Sequence, residues 1–94
     1  MNLSSFKESL LQSDPPQNAT VYLKALWYDA KGQWDQSHKL IQDVDDVNAY
    51  RIHAYLHRKE GDTGNADYWY RLAGKQRPSV SLEEEWEQIL SALI

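Results

Sequence analysis

Apolar residues recur along this chain every three or four positions, and nowhere do they alternate with polar ones over the length of a strand. The pattern predicts helices alone. Over residues 3–13, Leu3, Phe6, Leu10 and Leu11 share a face, and Ser5-x-x-Glu8 has the form of a capping box. Asp14-Pro15-Pro16 stops that helix and opens another, because proline suits a first turn and breaks an interior. Residues 16–31 place Ala19, Leu23, Leu26, Trp27 and Ala30 on one face and end at Gly32. Residues 34–44 carry Trp34, Ser37, Ile41 and Val44 on a stripe flanked by His38. Asp45 or Asp46 can cap a helix over 47–60 that stops at Gly61. Asp62 can cap 63–76, whose apolar arc holds Ala66, Tyr68, Trp69, Tyr70, Leu72 and Ala73, with Arg77-Pro78 ending it. A second capping box, Ser81-x-x-Glu84, leads into Trp86, Ile89, Leu90 and Leu93. The expectation is one all-α domain, residues 1–94, of about six short helices. Two antiparallel helical hairpins form its middle, with a helix added at each end.

A repeat connects the hairpins. Superposing Gly32 on Gly61, an offset of 29 residues, aligns Leu26 with Tyr55, Ser37 with Ala66 and Ile41 with Tyr70. A small residue five positions after each glycine lets two antiparallel helices approach closely. The second copy resembles a tetratricopeptide repeat in Gly61, Ala66, Tyr70, Ala73 and Pro78. The first keeps Gly32, Ser37 and Ile41 but has Ala49 at the proline position, and the period is shorter than the usual 34. The resemblance covers residues 16–76. It implies stacked helical hairpins of the kind that bind protein partners or small ligands, and names no ligand.

The helix of 47–60 carries the chemistry. Wound at about 100° per residue, its apolar arc holds Ala49, Tyr50, Ile52, Ala54 and Leu56, and His53, His57 and Glu60 fall inside that arc. Polar groups on a core-facing stripe are costly unless paired or used. The stretch His53-x-x-x-His57-Arg58-x-Glu60-x-Asp62-x-x-Asn65-Ala66-x-Tyr68-Trp69-x-Arg71 resembles a segment of an uncharacterised family of bacterial and fungal proteins, as does His38 after Ser37. Lys59 and Asp67 depart from that family's arginine and lysine. The resemblance lends weight to a site and supplies no reaction.

Three readings of the site stand side by side. In the structural one, the histidines and Glu60 form a satisfied hydrogen-bond network that fixes how the hairpins pack. In the second, His53 and His57 bind a divalent metal with Glu60, or with His38 if its helix packs alongside. In the third, Glu60 orients an imidazole for proton transfer. Arg58 covers a tryptophan face or pairs with Asp62, and Arg71 pairs with Asp67. If both arginines instead reach a concavity beside His57, they suit a carboxylate or phosphate. Asn65 bonds to the turn or to the neighbouring hairpin. The candidate ligand-binding residues are therefore His38, His53, His57, Arg58, Glu60, Asn65 and Arg71, in an enzyme, a metal-binding protein or a helical interaction module.

Composition narrows the partners. Hydrophobic residues make up 41% and charged residues 26%, which suits a folded globular chain. Four Trp and six Tyr against one Phe give a core of rings whose N–H and O–H groups need partners. The net charge of −4 offers no basic face to nucleic acid. No run approaches the roughly 20 apolar residues of a membrane span, and the start of the chain lacks a signal pattern. With no cysteine, the chain reads as cytoplasmic. The acidic run Glu83-Glu84-Glu85 complements a helix dipole, and the stripe of Trp86, Ile89, Leu90 and Leu93 either packs on the 63–76 helix or offers a homodimer contact.

Overall fold

The computed structural model describes residues 1–94 as six α-helices without strands: α1 Leu3–Ser9, α2 Val21–Ala30, α3 Trp34–Ile41, α4 Val47–Lys59, α5 Thr63–Leu72 and α6 Leu82–Leu93. The caps explain most of the boundaries. Asp46, Asp62 and Ser81 each accept a backbone N–H three residues on, and so start α4, α5 and α6. Three helices then stop in one way. Gly32, Gly61 and Gly74 have φ of 80°, 89° and 72°, a left-handed conformation open to glycine. In each case the following N–H reaches back five residues, Gln33 to Tyr28, Asp62 to His57 and Lys75 to Tyr70, all at 2.9 Å.

Several expected boundaries need correction. Asn2, not Ser5, caps α1, and the helix ends at Ser9, so Leu11 lies in solvent at 86% exposure. Pro15-Pro16 does not open α2. Asn18 turns the chain with φ of 68°, and Thr20 caps the helix by accepting from Leu23 at 3.2 Å. α3 closes at Ile41, short of Val44, and α5 closes at Leu72 because Gly74 already terminates it before Arg77-Pro78. Tyr68 and Leu72 are exposed, outside the apolar arc assigned to them.

Consecutive helices pair, α2 with α3 and α4 with α5, each across a short glycine turn. Ser37 and Ala66, the small residues aligned by the repeat, are both fully buried. The main core gathers Phe6, Leu23, Leu26, Trp27, Ile41, Ile52 and Leu56 with Trp86, Ile89 and Leu90 of α6. α6 packs mainly on α2 and α4, touching α5 through Glu85 and Tyr70, and Trp86 Nε1 donates to the Leu26 carbonyl at 3.0 Å. Of the stripe offered as a dimer contact, Trp86, Ile89 and Leu90 are thus buried within one chain and Leu93 is half-buried against the same core. A second, smaller cluster of Ala54, Ala66, Tyr70 and Trp69 joins α4 to α5. No helix is long and apolar enough to cross a membrane.

Candidate functional site

His38 lies one turn after Trp34 on α3, and His53 and His57 lie one turn apart on α4, so packing α3 on α4 brings three imidazoles together. The Nε2 atoms of His38 and His53 are 3.0 Å apart. Ring centroids are 4.7 Å apart for His38–His53, 4.8 Å for His53–His57 and 5.4 Å for His38–His57. Two indoles close the cluster. Trp34 lies flat on His38 at 4.9 Å, held by its Nε1 donating to the Leu56 carbonyl at 2.8 Å. Trp69 lies flat on His53 at 3.9 Å. His53 and His57 are buried and His38 is half-buried.

Counting donors and acceptors assigns the protons. The Asn65 side-chain amide stands 3.4 Å from His57 Nε2, which places a lone pair on that nitrogen and the proton on Nδ1. Nδ1 faces Glu60 Oε2 at 3.6 Å, beyond hydrogen-bond range, and is buried with no partner. Between His38 and His53 one nitrogen donates and the other accepts, so a single proton serves both rings. Burial, reinforced by His38 and His57, pushes His53 from an ordinary 6.5 down to about 4. Burial also lowers His38, with His57 adding to it and Glu60 and Asp35 opposing.

Burial favours the neutral form of His38 and His53, and acid works against the fold. As pH falls below 6.5, the unfolded chain takes up a proton that folded His53 refuses until about 4, so stability is present above that window and is lost within it. The expected loss between pH 7 and pH 5 is about 1–2 kcal/mol from this residue. Urea midpoints of chelator-treated protein at the two values check it, and His53→Leu is expected to flatten the slope.

The predicted residues divide into two groups. His38, His53, His57 and Asn65 come together, with Glu60 at the rim. The metal set expected from the sequence changes: the three donors that converge are His38, His53 and His57, whereas Glu60 groups with His57 and the exposed Asp62. Arg58 points elsewhere. Its guanidinium donates to Glu85 Oε1 at 2.8 Å and to the Val80 carbonyl, rather than covering a tryptophan or pairing with Asp62. Arg71 does not pair with Asp67, whose carboxylate faces Arg77 at 3.6 Å, and it lines a shallow cleft with Lys75 and Arg77. The two arginines therefore form no concavity beside His57.

Two buried acids escaped the sequence reading. Glu85 is fully enclosed and accepts from Arg58 and from the Tyr70 hydroxyl, at 2.9 and 2.6 Å for its two oxygens. Asp29 is equally enclosed, accepting from Tyr55 at 2.9 Å and from Lys59 at 2.9 Å. Burial, together with these carboxylates, pushes both tyrosine hydroxyls up, so they remain donors. Asp29 and Tyr55 also floor an open cleft of about 580 Å³ walled by Leu10, Lys59, Leu82 and Trp86, which no histidine lines. Compared with protein families, curated proteins and solved structures, the chain finds no match.

Proposed function

We propose that this chain is a small cytoplasmic helical module, of tetratricopeptide type in its two hairpins, that binds a ligand at the imidazole cluster between α3, α4 and α5. One observation carries the proposal: three imidazoles packed together, two of them buried, with unused polar capacity, above all the buried and unbonded Nδ1 of His57. A fold selected for stability alone fills such a place with apolar side chains, because an unmet buried donor costs about 1–3 kcal/mol. Groups that the fold would discard are kept where they serve a ligand. With Trp34 stacked on His38 and Trp69 on His53, the close-packed rings favour a small ligand over a substrate-sized one.

Replacing His57 with leucine, of similar volume, tests this reading. In chelator-treated protein, His57→Leu is expected to melt at the wild-type temperature or up to about 5 °C higher, since it removes the unmet donor. A melting temperature lower by several degrees would show that the imidazole serves packing, and the ligand site would fall.

A further inference from the structure

We infer that His38, His53 and His57 together bind one divalent first-row transition-metal ion, with zinc(II) as the reference case, through one nitrogen of each ring. The inference rests on the ligand-site reading above and gives that ligand its chemical class.

The geometry is near what an ion requires. One ring nitrogen from each histidine lies within 4.8 Å of the others. Zinc–nitrogen bonds of about 2.0–2.1 Å set tetrahedral donors about 3.4 Å apart. His38 and His53, at 3.0 Å, must therefore spread by about 0.4 Å, and His57, within 4.8 Å of the others, must close in by up to about 1.4 Å, a shift that side-chain rotation supplies. The frame is already built, because α4 presents two rings at i and i+4 and the packing of α3 supplies the third.

The donor chemistry selects the ion. Three imidazoles suit zinc, copper or nickel and do not suit magnesium or calcium, which take oxygen. Coordination needs a lone pair on each ring. At His57 the ligating atom is assigned as Nε2, the acceptor nitrogen, from which the Asn65 amide 3.4 Å away must withdraw. Nδ1–H then faces Glu60 Oε2, and closing their 3.6 Å gap as the ring turns onto the ion gives the carboxylate–histidine arrangement that orients a ligating ring, so Glu60 is a positioning residue. A fourth coordination position is left for water.

The unmet capacity of the cluster also has an explanation here. The orphaned Nδ1 of His57 is costly in a metal-free core, and turning the ring to ligate through Nε2 would bring Nδ1–H onto Glu60. With an ion present, every ring has one nitrogen on the metal and the other free to donate. The competing group of His57, Glu60 and Asp62 is half in solvent, and the Asp62 carboxylate is already committed to capping α5.

Calorimetric titration of zinc chloride into the chelator-stripped full chain tests the proposal. The expected result is one ion per chain. His38→Ala is expected to weaken binding about 100-fold or more through loss of a ligand, and Glu60→Gln about tenfold through loss of orientation. Long-range ¹H–¹⁵N spectra of the unaltered chain serve where a variant does not fold. One equivalent of zinc is expected to shift the ring nitrogens of all three histidines. Absence of binding, binding that His38→Ala leaves unchanged, or shifts at fewer than three histidines would overturn the metal assignment. If zinc fails while His57→Leu still melts no lower than wild type, the cluster remains a ligand site and only its metal is refuted.

Discussion

Glu85→Ala is expected to destabilise the folded chain by about 3–5 kcal/mol, among the largest losses any single residue here would give. The Glu85 carboxylate is 2% exposed and neutralises the Arg58 guanidinium at 2.8 Å while accepting the Tyr70 hydroxyl. Alanine in its place leaves a mostly enclosed cation with the Val80 carbonyl as its remaining acceptor, and strands a buried phenol. The contact is also architectural, since it ties α6 to both α4 and α5. Thermal and urea unfolding should register the loss as a fall in melting temperature of more than about 12 °C. Glu85→Gln keeps the shape and one acceptor, and is expected to cost about half as much. An alanine variant that melts within a few degrees of wild type would show that the buried pair contributes little beyond what water could supply.

Trp27→Ala is expected to cost about 3–5 kcal/mol by a different route, loss of packing rather than of charge. Trp27 is 1% exposed in the centre of the main core, with Tyr28 edge-on at 5.1 Å. Its Nε1 donates to the Ser9 carbonyl at 3.2 Å, and Lys31 lies over the ring at 5.3 Å. Lys31 in turn donates to the carbonyls of Leu10 and Gln12, so the indole and its neighbour hold the end of α1 against α2. A domain of this size has about 5–15 kcal/mol in total, which brings the alanine variant close to unfolding. Trp27→Phe keeps most of the volume and loses the bond to Ser9, for about 1 kcal/mol. Amide exchange should then rise first in α1, and uniform exchange across the chain would contradict this placement of the ring.

The all-helical class, the number of helices and the caps at Asp62 and Ser81 were legible in the sequence, because each rests on a local signal, whereas the cap of α4 was narrowed only to Asp45 or Asp46. The histidine cluster was legible in part. His53 and His57 declare themselves by spacing within one helix, whereas His38 joins them only through the packing of α3 on α4, which no local pattern states. Arg58 was misassigned for the same reason, since its partner lies 27 residues away. Glu85 was hidden in an acidic run that helix-dipole reasoning explains completely. Yet Glu85, Trp86, Ile89 and Leu90 form one inward stripe, and a carboxylate on that stripe carries the same signal as His53 on its own. Asp29, one turn after Ala25 on the buried face of α2, is a parallel case. Asn18 shows the remaining kind of failure: a single left-handed residue moved the start of α2 past two prolines that by themselves read as a beginning.

The flat contacts of Trp34 on His38 and of Trp69 on His53 have an optical consequence. An excited indole gives up its light to an imidazolium in contact with it, and much less to a neutral ring. Two of the four tryptophans therefore glow or darken with the charge state of the cluster. Trp27 and Trp86, bonded to the carbonyls of Ser9 and Leu26 in the main core, respond instead to unfolding. One emission spectrum thus holds two separable signals, and the chain can be followed without an added dye.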